Sequence, residues 1–218
     1  MKVNVLFLDY LRHDFTEEVK AKNFYNAGMS FDHVIIDMKG IATAINSGIQ
    51  QSLEYDAIVT MANDILMPDN WLKAMVLAAT NIPNTGMCGI HCVENLGGIE
   101  ILNGLTVHPA QVAFGNVLIP MVAIRKVGYF NTDYDPYGMQ DSDYGFRLAQ
   151  TGHKNYYLNG LVSTHIGADA HLCARTDYRK MKDEGLRTVD VKWAKWTKKY
   201  VEENNYTIDL KEWPELIR

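Results

Sequence analysis

Residues 56–64 read Asp56-Ala57-Ile58-Val59-Thr60-Met61-Ala62-Asn63-Asp64, and residues 65–72 continue Ile65-Leu66-Met67-Pro68-Asp69-Asn70-Trp71-Leu72. Asp56–Met61 holds a short apolar run of the kind a strand buried on both faces requires. Pro68 and Asp69 then open a helix through Trp71, Leu72, Met75 and Leu77, because proline fits a first helical turn, where its missing N–H is not needed. Strand, polar pair and helix make one βα unit, and the chain upstream repeats it. Val3–Leu8 is apolar apart from Asn4. Asp14 followed by Glu17 marks a helix start, and Gly28 marks its end. His33–Ile36 is a second strand, and Gly40–Leu53 carries Ile41, Ala44, Ile45, Ile49 and Leu53 at helical spacing. This alternation predicts a mostly parallel sheet flanked by helices. Ligands of such sheets lie beyond the carboxyl ends of the strands. Those ends carry Asp9, Asp37 and the Asn63–Asp64 pair.

Downstream the pattern becomes richer in strands, with glycine interruptions: Met87–Val93, Ile99–Val107 and Gln111–Ile119. A helix is predicted to begin near Asp141, since Tyr144 and Leu148 share a face and Gly152 follows as a stop. Lys154–Leu158 and Leu161–His165 read as short final strands. The pattern weakens from Gly167 onward, and the chain holds no internal repeat or low-complexity segment.

The 218 residues suit one domain, and 47% hydrophobic with 22% charged residues is globular composition. The longest apolar runs, Ala57–Ala62 and Val117–Ile124, are too short to span a bilayer. No apolar stretch near the N-terminus is long enough for a signal peptide, so a cytoplasmic location is expected. Three cysteines give no disulfide framework, and the net charge of −5 argues against a protein that coats nucleic acid.

Three sets of residues could carry chemistry. Asp64 follows a buried strand, where a carboxylate can hold a hard cation; on spacing alone, a turn or helix-cap role is preferred. Asp141 and Asp143 lie at a helix start. Backbone N–H groups there favour the ionised form of Asp141, and Asp143 lies four residues before Arg147, a natural ion-pair spacing. Acids two apart on a helix do not face the same way, so one at most points into a site. His165 ends the last strand and gains interest only if Asp64 binds metal, because imidazole suits Mn²⁺. Cys88, His91 and Cys92 lack a second ligand pair for zinc, and buried structural cysteines are the better reading.

The ordered set is more specific than its members. Gly40-Ile41-Ala42-Thr43-Ala44-Ile45-Asn46-Ser47-Gly48, the 56–72 stretch, and Tyr137-Gly138-Met139-Gln140-Asp141-Ser142-Asp143-Tyr144-Gly145-Phe146-Arg147-Leu148 together resemble family 2-type glycosyltransferases. The resemblance covers about three quarters of the chain. It implies a single α/β domain of the glycosyltransferase-A type, with a mostly parallel, Rossmann-like sheet and a C-terminal helical tail. The domain would occupy residues 1–167, with 168–218 as a basic loop and helical extension.

The implied activity is metal-assisted transfer of a sugar from a nucleotide-diphosphate donor to an acceptor hydroxyl; one base and one metal suffice for inversion, and similar folds support retention as well. The resemblance places Asp141 as base; Asp143, with Arg147 as its expected partner, takes a supporting role. Donor contacts would come from Asp9, Asp37, Lys39 and Asn63. Asp64 and His165 would hold Mn²⁺ or Mg²⁺. Two departures stand out: Asn63 and Gln140 occupy positions where the family has acids. The acceptor would be a saccharide, a lipid-linked glycan, a protein or a modified nucleic-acid base.

Residues 171–200 hold nine Lys and Arg against four acids. Related enzymes often close a segment after the final histidine over the donor, which would bring Arg179 and Lys180 to the diphosphate. Val189, Trp193, Trp196 and Tyr200 read as the apolar stripe of a packed terminal helix, in preference to a peripheral membrane contact or a site for an anionic acceptor. The rival functions are a nucleotidyltransferase on a similar fold and a non-catalytic sugar- or nucleotide-binding module. An early Gly-rich, Lys-bearing phosphate loop is missing, which counts against the first. The coexistence of Asp64, Asp141 and His165 counts against the second.

Overall fold

The computed structural model describes residues 1–10, 14–92, 96, 98–110, 115–138 and 140–166. Arg179, Lys180 and the predicted helical extension over 168–218 lie outside them. The strands are β1 (Val3–Leu8), β2 (Asp32–Ile36), β3 (Ala57–Ala62), β4 (Ile65–Leu66), β5 (Thr85–His91), β6 (Glu100–Leu102), β7 (Leu105–Ala110), β8 (Val117–Pro120), β9 (Lys154–Val162) and β10 (Thr164–His165). The helices are α1 (Thr16–Tyr25), α2 (Ile41–Gln50), α3 (Trp71–Asn81), α4 (Met121–Val127) and α5 (Gln140–Gln150). Eight strands form one sheet in the order β2-β1-β3-β8-β5-β9-β7-β6, and β4 pairs with β10 in a small second sheet.

The expected α/β architecture is present, and the sheet is mixed. β2, β1 and β3 run parallel, as do β5 and β9. β8 wedges antiparallel between β3 and β5, and the β6–β7 hairpin closes the far edge. Successive residues of β1 feed opposite faces. Val5 and Phe7 join the core under α3, with Trp71, Leu72 and Met75. Leu6 joins the core under α2, α4 and α5, with Ile45, Ile49, Ile124, Tyr144 and Leu148. Both faces of the sheet are therefore dry, which is why β1 and β3 read as continuous apolar runs.

Several elements differ from the sequence reading for local reasons. The apolar run Val117–Ile124 holds two elements, since β8 ends at Pro120 and α4 starts at Met121. Ile99–Val107 is a hairpin rather than one strand. Asn103 and Gly104 turn it with φ of 49° and 81°, the left-handed conformations a two-residue hairpin turn demands. The two expected final strands are mostly one, β9, which runs through Gly160. Cys88 is buried as expected, but β5 ends at His91, which leaves Cys92 exposed rather than in the core. Among the described residues, no helix is long and apolar enough to cross a membrane.

Candidate active site

The carboxyl ends of β1, β2, β3 and β5 open onto one cavity of about 460 Å³. Leu8 and Tyr10 reach it from the end of β1, and Met38 from beyond β2. Ile41, Ala44 and Ile45 supply an apolar wall from α2. Asn63 and Asp64 come from the end of β3, His91 and Cys92 from the end of β5. Gln140 and Asp141 enter from the start of α5, and His165 from β10. The cavity thus has an apolar wall from α2, and its polar lining includes the Asp64–His165 pair and Asp141.

Each polar side chain is held by a specific device. The Asn63–Asp64 turn is braced from both sides by buried asparagines. Asn23 donates to Ile65 O (2.8 Å) and accepts from Met67 N (2.8 Å), while Asn116 accepts from Ala62 N (2.8 Å). β10 pairs antiparallel with β4 and sets His165 opposite Ile65. Ile166 N also donates to Asp64 O at 2.8 Å. These contacts bring His165 Nε2 to 3.1 Å from Asp64 Oδ2, although the two are 101 residues apart. The Asp64 carboxylate raises the pKa of His165 through that hydrogen bond, against the lowering effect of partial burial.

The start of α5 is fixed by Arg147. Its guanidinium donates to Asp143 Oδ2 (2.8 Å), Val127 O (2.9 Å) and Tyr129 O (2.9 Å), all within the protein interior. Tyr144 stacks on Phe130 at 3.7 Å and donates to Gly128 O. Asn46 and the Phe130 backbone exchange two hydrogen bonds of 2.8 Å. α2 is held by Asp135, whose carboxylate accepts from Ala42 N (2.9 Å), Thr43 N (3.1 Å) and Thr43 Oγ1 (2.5 Å). This acid occupies the N-terminus of α2, so the helix end is satisfied by the protein itself. A side chain at Gly40 would place its Cβ 2.7 Å from Asp135 Cγ, and φ there is +93°. Glycine is required at that position.

Asp141 is partly buried, and burial raises its carboxyl pKa above the ordinary range. The hydrogen bond from Ser142 N (2.9 Å) and its own backbone N–H pull the other way. Burial wins over the helix start, the reverse of the sequence expectation. Burial likewise lowers the pKa of His91.

The structure separates the predicted site residues into three groups. Asn63, Asp64, Asp141 and His165 line the cavity, as does Gln140. Asp9 is buried beside the lining residues Leu8 and Tyr10, and Asp37 and Lys39 are exposed on either side of Met38; none of these three lines it. Asp143 is fully buried against Arg147 and does not line it. Arg179 and Lys180 lie outside the described residues. Sequence reasoning missed the bracing residues Asn23, Asn116 and Asp135, for which no local signal exists. It also missed Tyr10 and Tyr137, whose positions just beyond a strand and just before α5 could have marked them.

Asp64 and His165 offer one carboxylate and one imidazole, a donor set that suits Mn²⁺. Among the described residues, no group of three or more such side chains gathers to hold a metal ion. A cation held here would take its remaining ligands from water or from oxygens of a bound molecule. No Lys or Arg lines the cavity among the described residues, so a bound diphosphate would meet little positive charge from them.

Solved structures share this fold at low sequence identity. The mannosyltransferase PcManGT from Pyrobaculum calidifontis, solved with GDP-Man and Mn²⁺, is 16% identical with a TM-score of 0.59, over 85% of this chain and 64% of that one. A mutant of Drosophila beta-1,4-galactosyltransferase 7, solved with manganese, UDP-Gal and xylobiose, is 15% identical with a TM-score of 0.52, over 76% and 71%. GalNAc-T7, solved with UDP, GalNAc and Mn²⁺, is 12% identical with a TM-score of 0.58, over 99% of this chain and 53% of that one. Neither a protein-family model nor a curated protein sequence matches the chain. The chain has the glycosyltransferase-A fold.

Proposed function

We propose that this protein is a glycosyltransferase that moves a sugar from a nucleotide-diphosphate donor to an acceptor hydroxyl, with inversion. The observation that carries this reading is that the Asp64–His165 pair and Asp141 line one cavity at the carboxyl ends of the strands of this fold. Asp64 and His165 would hold the divalent cation, Mn²⁺ or Mg²⁺, which when bound neutralises charge on the departing diphosphate. The apolar wall, with Met38, Ile41 and Ile45, accepts the nucleoside. Asp9, Asp37 and Lys39 would add donor contacts from positions next to the lining residues Leu8, Tyr10 and Met38. Arg179 and Lys180 would supply positive charge that the described lining lacks.

Asp141 is the general base. Its carboxylate takes the proton of the acceptor hydroxyl as the hydroxyl oxygen bonds to the anomeric carbon, and the bond from that carbon to the diphosphate oxygen breaks. The pKa raised by burial makes the carboxylate a stronger base than an ordinary one. Asp143, tied to Arg147, positions the start of α5 and does not touch the reactants.

The test is release of free nucleoside diphosphate from a panel of UDP- and GDP-sugars with Mn²⁺, with and without saccharide, peptide, lipid-linked and nucleic-acid acceptors. Acceptor-dependent release that Asp141→Asn abolishes is expected. Release of pyrophosphate instead would favour a nucleotidyltransferase. Binding of a donor without any release would favour a binding module.

A further inference from the structure

Two amides line the cavity where acids would be natural cation ligands: Asn63 beside Asp64, and Gln140 beside Asp141. Asn63 is 7% exposed and Gln140 8%. Asn63 Nδ2 and Gln140 Oε1 are buried and have no hydrogen-bond partner among the described residues. Buried polar groups are nearly always paired, so an unpaired one in a cavity wall marks a contact reserved for a ligand. The chemistry of Asn63 decides which ligand atom it takes. An amide N–H donates, and it carries no charge. A carboxylate there would only accept, and would add a second negative charge next to Asp64.

We propose that the Asn63 amide donates directly to a phosphate oxygen of the nucleotide, so that this cavity holds the diphosphate without relying wholly on a cation. The proposal rests on the donor reading above and deepens it. Three features converge on it. Asn63 adjoins the Asp64–His165 pair, where the diphosphate would lie. The described lining holds no Lys or Arg to neutralise the anion. The turn that carries Asn63 is held rigidly by Asn23 and Asn116, so the donor is pre-positioned and loses little freedom on binding. A hydrogen bond to a charged oxygen is stronger than one between neutral groups.

Calorimetry with UDP and GDP, in EDTA and in Mn²⁺, tests the proposal on the full chain. The unsubstituted protein is expected to bind one of them in EDTA, more weakly than with Mn²⁺. Asn63→Asp should weaken binding in EDTA by about tenfold or more, equivalent to ~1.4 kcal/mol. Mn²⁺ should shrink that difference, because the added carboxylate then has a cation to bind. Asn63→Ala removes the donor without adding charge; it should lose affinity in EDTA and gain no extra response to Mn²⁺, and it decides the matter if the aspartate variant does not fold. Equal affinity of all three proteins in EDTA overturns the inference alone, as does nucleotide binding seen only with Mn²⁺. Absence of nucleotide binding under both conditions overturns the donor reading and this inference with it.

Discussion

Asp143→Asn exchanges a carboxylate oxygen for an amide nitrogen in a side chain that is fully buried. Its partner Arg147 is 5% exposed and cannot turn to solvent without withdrawing from Val127 O and Tyr129 O. Breaking a buried ion pair from one side leaves an uncompensated charge and costs about 3–5 kcal/mol. The asparagine oxygen can still accept from Arg147 Nε, which places the cost near the lower end, at about 3 kcal/mol. For a domain of this size, each kcal/mol shifts the melting temperature by roughly 2–4 °C, so a fall of roughly 6–12 °C is expected. Circular dichroism melts measure it, with turnover assayed well below the transition. Turnover should then change less than tenfold, because the base at Asp141 remains. An unchanged melt with turnover lost by a hundredfold or more would refute this reasoning and put Asp143 in the chemistry.

Asp141→Asn should do the opposite. Turnover falls by roughly 10²–10⁴-fold, the usual worth of a general base, and the melt at neutral pH stays level or rises. The sign follows from linkage. A carboxyl whose folded pKa is raised destabilises the fold as pH climbs from its unfolded value through the folded one, and asparagine removes that cost. The acid limb of the pH–turnover profile should accordingly lie above the ordinary carboxylate range. His165 has its pKa raised by Asp64, so the stability from that pair is present below the unfolded histidine value and lost as pH rises through the folded one. Mn²⁺ affinity, read by titration calorimetry, should rise over the same window as the imidazole sheds its proton, and His165→Ala should flatten that rise. Gly40→Ala forces a Cβ against Asp135 at a positive φ; it should cost roughly 1–3 kcal/mol by denaturant titration and weaken donor binding through displacement of α2.

The central strands of the N-terminal half, β1 and β3, were legible because they are buried on both faces. Val3–Leu8 and Ala57–Ala62 can be read from hydrophobicity alone. The middle was not, because burial erases the difference between a strand and a helix. Val117–Ile124 is apolar throughout; the strand end was read at Ile119, one residue short of Pro120, but the helix α4 from Met121 was not. The Asn103–Gly104 turn was readable in principle, since Asn-Gly between apolar residues is a strong hairpin signal. The carboxylates at strand ends drew attention to the correct end of the sheet, yet only Asp64 of them lines the cavity. Asp9 is buried and Asp37 exposed, a difference made by packing rather than by spacing. Asn23, Asn116 and Asp135 act across 42 to 93 residues of sequence, so no local pattern could have found them.

Titration calorimetry of UDP- and GDP-sugars against the unsubstituted protein and Asp64→Asn, each with Mn²⁺, tests the central claim most directly. Asp64 is the carboxylate that β4, β10 and the braced turn bring to His165 in the cavity. The account predicts donor binding that strengthens with Mn²⁺ in the unsubstituted protein. It predicts that Asp64→Asn loses this Mn²⁺ response while its melting curve keeps the cooperative form of a folded protein. Undiminished Mn²⁺-dependent donor affinity in folded Asp64→Asn would contradict it.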